Sequence, residues 1–343
     1  MKIKSFAVVS LAVVALVVQP ITNSFADGST KTKSQVSKES EKSHNSEKRG
    51  YTPTRNSDAS YSTSGGVTAT AATSPAGGIG AVTYHQGGTV ILQPRVYVIW
   101  YGNWDKKSCS AEDQGNSTAS ILMNLTKHIG DSAWNAINAT YYQVVKGKKQ
   151  FISSGIEYSG CVVDTGSIGL SLNGPSDPIV GDVVDTQLQS GALTTDASGV
   201  YLVITATNVQ VTGFQTAFCG YHDYYILPTM EIKYAFIGDP SLNMAPGGCV
   251  SQPTVSPNKN PAADAMASVL AHELIEPISD PLFDAWFDKA GWENADKCAY
   301  RYGTVTQAED GSFSNMTIGD RPYLIQQNVA ANSNVCVSSM ARS

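Results

Sequence analysis

This chain has no apolar run long enough to cross a bilayer. Its longest, Phe6–Val18, falls short of the roughly 20 residues a spanning helix needs. It has no Gly-x-Ser-x-Gly elbow, the turn on which many serine hydrolases raise their nucleophile. It has no spare thiol either: Cys109, Cys161, Cys219, Cys249, Cys298 and Cys336 are an even set, and their spacing is too irregular for a zinc ribbon. Basic residues are scarce. From residue 61 onward 14 Lys/Arg stand against 24 Asp/Glu, which argues against nucleic acid as a partner. No internal repeat is visible.

What is present begins with an export signal. Met1-Lys2-Ile3-Lys4 precedes the apolar run, and Ser24-Phe25-Ala26 places small residues where a signal peptidase reads, predicting a secretory signal peptide over 1–26. Residues 27–80 are rich in Ser, Thr, Lys, Glu and Gly. They are too poor in apolar side chains to offset chain entropy, and so are expected to be a disordered linker. Contact of this linker with an anionic wall polymer is the functional alternative to a plain solvated tether. Residues 81–343 read as one globular domain. The mature protein is thus expected to be secreted, with no transmembrane segment. An even cysteine count in that setting predicts up to three disulfides. Fifteen pairings are open; proximity along the chain favours Cys109–Cys161, Cys219–Cys249 and Cys298–Cys336. Asn116, Asn124, Asn138 and Asn315 each open an Asn-x-Ser/Thr sequon, a glycan site on surface loops in a eukaryotic host.

Arg95–Tyr101 is a β-branched and aromatic run ended by Gly102, which predicts a central strand. Residues 199–206 predict a second strand, apolar on both faces and hence buried. Residues 234–238 and 323–326 predict two more. Helical spacing of apolar residues marks 117–129, with Ser117 or Thr118 as cap, and 178–193. A further helix is expected to start near Trp134 and pass into a strand by Tyr142. Strands and helices alternate loosely. The fold class expected is α/β or α+β: a mixed sheet flanked by helices in a single domain.

The chemistry concentrates between Ala262 and Cys298. Ala263, Met266, Ala267, Val269, Leu270, Leu274 and Ile275 recur at helical spacing, and Pro277 predicts that the helix stops or kinks there. His272 and Glu276, four apart, share a face, with Glu273 beside it. One imidazole and two carboxylates so placed offer two metal ligands and a general base, a zincin-like arrangement in which Glu276 replaces the usual second His. The plain alternative is the wet face of an amphipathic helix. Downstream, Asp280-Pro281 reads as an N-cap with proline at the first helical position, opening a helix over 282–289; reach to a metal is the other reading of Asp280. Glu293 then fits the third metal ligand that gluzincin peptidases take from a second helix. Asp296 fits the outer carboxylate that orients a ligating His. An exposed acidic helix start is the alternative for both. His222, among Tyr221, Tyr224 and Tyr225, lines a pocket or serves as a structural hydrogen-bonder.

Residues 82–88, 96–102 and 218–222, the run 268–274 with Asp280-Pro281 and Ala285-Trp286, and residues 293–298 together resemble the phosphate-induced protein / EXORDIUM family of secreted proteins. The resemblance implies an extracellular or wall-associated protein linked to growth responses, without a defined reaction. Pro277 stands where a small residue is expected.

The reading that follows is a secreted protein with a metal site of His272, Glu276 and Glu293. Glu273 is the general base, Asp296 the outer carboxylate, and hydrolysis of a peptide bond the reaction. Zinc is the expected ion, with manganese or calcium admitted by the hard ligand set. The competing reading is a non-catalytic binding or signalling module for a peptide or wall component.

Overall fold

The structure, a computed structural model, describes residues 43–44, 50–54, 79–111, 115–174, 176–245 and 248–342. All belong to the compact unit Glu41–Ser343. The expected signal peptide and most of the expected linker lie outside the described residues.

A seven-stranded mixed sheet organises the molecule. Its strands are β1 (Gly50–Pro53), β2 (Arg95–Tyr101), β3 (Glu157–Asp164), β4 (Gly199–Thr205), β5 (Phe218–Leu227) and β6 (Met230–Gly238), with Ser43–His44 as the seventh. In space the order is β1, β5, β6, β4, β2, β3. The β6–β4, β4–β2 and β2–β3 pairs are parallel; β5–β6 and β1–β5 are antiparallel. Ser43–His44 pairs with the far end of β5.

Helices cover both faces, so the inner strands are apolar on both sides. Val96, Val98 and Trp100 of β2 join one core cluster, and Tyr97, Ile99 and Tyr101 join the other. The first cluster packs against α1 (Thr118–His128) and α3 (Pro261–Ser279), and the second against α2 (Val180–Gln189). Ser117 caps α1 by accepting the Ser120 N–H at 3.2 Å. The mixed sheet and its flanking helices match the expected class. Among the described residues no helix is long and apolar enough to cross a membrane.

Several local expectations fail for visible reasons. β1 comes from the stretch read as a disordered linker, because backbone pairing to a sheet edge needs no apolar content. Residues 218–227 form a full strand although their polar centre, His222-Asp223, hides the pattern. Helix α3 runs through Pro277 to Ser279. The proline withdraws one N–H only, and the final turn is held by the Asp280 N–H on the Glu276 carbonyl at 2.7 Å. No helix forms over 282–289. Asp280 Oδ1 accepts the N–H groups of Asp284 and Ala285 at 2.8 and 2.7 Å, a cap-like arrangement, but Phe283 has φ +57° and turns the chain. Trp286–Phe287 then pairs with Thr83–Tyr84 as a short strand. The strand expected over 323–326 is instead Arg321–Tyr323.

The three disulfides are Cys109–Cys161, Cys219–Cys249 and Cys298–Cys336, the pairing that proximity favoured. Two of the four sequons are not on surface loops. Asn124 is buried with its amide on Asp320, and Asn138 is buried with its amide on the Ile275 carbonyl. The Asn315 amide is engaged by two carbonyls, whereas Asn116 is exposed.

Candidate metal centre

The site forms where α3 crosses β5. Gly220 makes the close approach possible: a Cβ there would lie 2.6 Å from Val269 Cγ1 and 3.0 Å from Glu273 Cγ. Two residues along the same strand face, His222 points at the helix. The turn Glu293–Cys298, tethered by the Cys298–Cys336 bond, closes the third side with Glu293 and Asp296.

Glu276 Oε2 is the shared vertex. It lies 3.2 Å from His272 Nε2 and 3.4 Å from His222 Nδ1. Its other oxygen, Oε1, accepts the Asp296 N–H at 3.0 Å, which fixes the carboxylate plane. Asp296 Oδ1 is 3.3 Å from His272 Nε2. Glu273 Oε2 is 3.4 Å from His222 Nδ1, and Glu293 Oε2 is 3.4 Å from His222 Nε2. Two groups of three thus have ligand atoms within 4.8 Å of one another: His272, Glu276 and Asp296, and His222, Glu273 and Glu276.

His272, Glu273, Glu276, Glu293 and Asp296 converge, and His222 joins them. The order of the acids differs, because Asp296 faces the same ring nitrogen as Glu276. The other nitrogen, Nδ1, sits 3.2 Å from Gln326 Oε1. Gln326 Nε2 donates to the Ala295 carbonyl at 2.9 Å, so its oxygen is the atom turned to His272. Nδ1 therefore carries a proton, and Nε2 is the nitrogen presented to the acids. Gln326 occupies the orienting position that sequence spacing suggested for Asp296. Glu293 comes from a loop rather than a second helix, and it faces His222.

Three features had no signal in the sequence. Gln326 lies 54 residues from its partner. Thr52 donates through both its N–H, at 2.9 Å, and its hydroxyl to Glu273 Oε1, across 221 residues. Phe283 stacks on the His222 ring at 4.9 Å while holding its left-handed backbone. A bulky residue in that region is strained, and such strain gathers at functional sites.

Burial and charge are in conflict here. His272, Glu273 and Glu276 have no exposed surface, and His222 is 1% exposed. Buried without a hydrogen-bond partner are His222 Nδ1 and Nε2, His272 Nε2, Glu273 Oε2, Glu276 Oε2, Glu293 Oε1, Asp296 Oδ1 and Asp280 Oδ2. At an effective dielectric of about 20, two like charges about 5 Å apart repel by roughly 3 kcal/mol. The acids respond as expected. Burial, reinforced by the charge of Glu276, pushes Glu293 well above the usual carboxylate range and Asp296 to about 6. Burial lifts Asp280 to about 6. For Glu276 burial is outweighed by the two imidazoles, which hold it low. For His222 burial opposes charge, but Glu273 and Glu276 prevail and raise it to about 9; His272, likewise opposed by burial, is raised well above its ordinary value by Glu276 and Asp296. Five carboxylates and two imidazoles share the site. Their buried lone pairs suit a divalent cation, whose charge and coordination resolve both the repulsion and the missing hydrogen bonds.

A cleft of about 470 Å³ leads to this cluster, with Phe283, Phe287 and Trp292 on its walls and Asp280, Glu293 and Asp296 within.

Comparison with known proteins agrees with the motif resemblance. Residues 82–338 match the phosphate-induced protein 1 conserved region. The chain is 26% identical over 169 residues to Protein EXORDIUM-like 5 of Arabidopsis thaliana, covering 45% of this chain and 42% of that protein. It is 27% identical over 201 residues to Protein EXORDIUM-like 3 of the same plant, covering 53% and 55%. The chain thus spans about half the length of the curated relatives it matches. No solved structure matches. Three disulfides and these relatives are consistent with an extracellular protein. On the extent of the match, the chain belongs to the phosphate-induced protein 1 family.

Proposed function

We propose that this chain is a secreted metal-dependent hydrolase acting on peptide bonds. The observation that carries the reading is the set of buried, unpartnered nitrogen and oxygen atoms converging from His272, Glu276, Asp296, His222, Glu273 and Glu293. His272, Glu276 and Asp296 hold the ion. One imidazole with two carboxylates accepts zinc, and is hard enough to accept manganese or calcium. A divalent ion there supplies Lewis acidity toward water or a carbonyl oxygen. Glu273 is the general base: its buried, unpartnered Oε2 is the oxygen that takes a proton. His222 lies between Glu273 and Glu293 and faces the base with its positive charge. Gln326 keeps His272 in the tautomer that offers Nε2. The aromatic walls of the cleft suit a peptide, and we place the working site outside the cell, at the wall.

One observation favours the second reading, a non-catalytic wall or signalling module: β1 lies across the base. Elemental mass spectrometry of chelator-free protein, beside His272→Ala and Glu273→Gln, decides between them. The hydrolase reading expects near one equivalent of metal in the wild type, its loss in His272→Ala, and its retention without peptide turnover in Glu273→Gln. Absence of metal from the wild type, with thermal stability unmoved by added zinc, overturns it.

A further inference from the structure

The strand Gly50–Pro53 is an unusual neighbour for such a site. It adds antiparallel to β5, with Gly50 opposite His222, Tyr51 opposite Tyr221 and Thr52 opposite Gly220. Alternation along a strand turns Gly50 and Thr52 to the α3 side. Gly50 has no side chain to accommodate. A Cβ there would lie 2.0 Å from His222 Cε1, far inside contact distance, and 2.9 Å from Glu293 Oε2. Bare backbone therefore lies directly over the imidazole. Thr52 fills the hydrogen-bonding capacity of one oxygen of Glu273. The Pro53 carbonyl accepts from the Tyr300 hydroxyl at 2.6 Å.

Among the described residues, the other face of this strand is the less enclosed one. Tyr51 touches Phe218 and Tyr221 with ring centroids at 5.2 and 5.9 Å, yet remains 41% exposed. Gly50, Tyr51 and Pro53 form one wall of the 470 Å³ cleft that reaches Glu293 and Asp296. The strand thus occupies the outer edge of β5, touches the base and the imidazole, and borders the approach. Strand addition of this kind recognises polypeptide through main-chain hydrogen bonds, with alternate side chains setting specificity.

We propose that the β5 edge is a binding groove for an extended polypeptide, received as an added antiparallel strand with glycine over His222, and that Gly50–Pro53 is the chain's own occupant of it. The proposal names the substrate class of the hydrolase reading and rests on that reading for what happens after binding. The groove itself rests on the strand pairing. A strand of the same chain competes intramolecularly with an added peptide, so the wild-type chain shields its own groove. An incoming peptide must displace β1. Its backbone then takes the place now held by Gly50, and the Glu273 oxygen held by Thr52 becomes available.

The test uses the full-length chain and a fluorescent peptide of residues 48–54 as probe. Gly50→Ala places a methyl against His222 and expels the tethered strand. Tyr51→Ala weakens the strand on its other face and leaves the site residues intact. Both variants are expected to bind the probe about tenfold or more tighter than wild type, because the internal competitor is lost. Amide exchange along residues 220–224 is expected to rise in both variants and to fall again with the probe bound. Faster exchange without probe binding overturns the proposal, and so does unchanged protection of β5 in both variants. Metal content of the same samples separates the two readings. Probe binding without metal keeps the groove and sinks the hydrolase; metal without probe binding does the reverse.

Discussion

At the scale of single residues, orientation matters as much as identity. His272 is useful to a cation only while Nδ1 keeps its proton, and Gln326 is the group that keeps it there. Gln326→Met keeps the side-chain volume and removes the acceptor. Metal affinity is expected to fall about 10–100-fold, with His272 still in place, as measured by competition with a chromophoric chelator. Asp296→Asn tests the other side of the ring. It removes a charge 3.3 Å from Nε2 while preserving size, so metal content should fall with little loss of thermal stability. Buried as they are, the acids repel one another, and removing one relieves the metal-free protein. A Tm that rises in Asp296→Asn without metal and no longer responds to added metal is the expected signature.

At the scale of elements, two of the three disulfides frame the site and one does not. Cys219–Cys249 anchors the start of β5, three residues before His222, and Cys298–Cys336 anchors the turn that carries Glu293 and Asp296. Cys109–Cys161 ties a short helical turn to β3 at the far edge of the sheet. Their sequence separations, 52, 30 and 38 residues, each imply about 4 kcal/mol of stabilisation on the chain-entropy account. The paired serine variants are therefore expected to lose similar stability in thermal denaturation. Only the Cys298/Cys336 and Cys219/Cys249 variants should also lose metal affinity, because only they release elements that aim a ligand. Equal metal binding in all three would place the rigidity of the site elsewhere. Helix α3 is the other critical element. It is buried along nearly its whole length, so Leu270→Ala should cost about 2–5 kcal/mol, read from chemical denaturation.

At the scale of the whole molecule, the site makes stability depend on pH in a direction set by proton uptake. The folded-state pKa of His222 is raised from 6.5 to about 9. Its contribution is complete below pH 6.5 and is lost as pH rises through about 9. Asp296 is raised from 3.8 to about 6, so the native state also binds the extra proton between those values. Both act with the same sign, and together they outnumber the lowered Glu276. The metal-free protein is expected to lose Tm steadily from about pH 4 to pH 9 in a denaturation series. Metal binding must displace these protons, so its affinity should fall as pH drops below about 9 and more steeply below about 6, and saturating metal should flatten the loss at high pH. A flat metal-free profile would mean that the cluster is not charged as described. The folded surface also limits modification. In a eukaryotic secretory host, peptide mapping should find glycan at Asn116 and none at Asn124 or Asn138, whose amides are buried in the core.

The sequence by itself determined the parts that local chemistry controls. Apolar runs such as Arg95–Tyr101 and residues 199–205 declare buried strands, since nothing else accommodates a run that is apolar on both faces. The periodicity of α3 and the spacing of His272, Glu273 and Glu276 place three functional groups on or beside one helical face. An even set of six cysteines allows three disulfides, and closeness along the chain favours the pairing that the structure shows. Tertiary structure alone decided the rest, because it depends on contacts between distant segments. His222 joins the cluster because β5 passes under α3 at Gly220, an approach that no periodicity encodes. Asp296 and Glu293 take their places according to how the turn before Cys298 folds back. Phe283 ends the helix expected at 282–289 through a backbone strain that the neighbouring packing supports. Thr52 and Gly50 reach the site from a polar stretch that looks unstructured, because main-chain pairing to a sheet edge leaves almost no mark on composition.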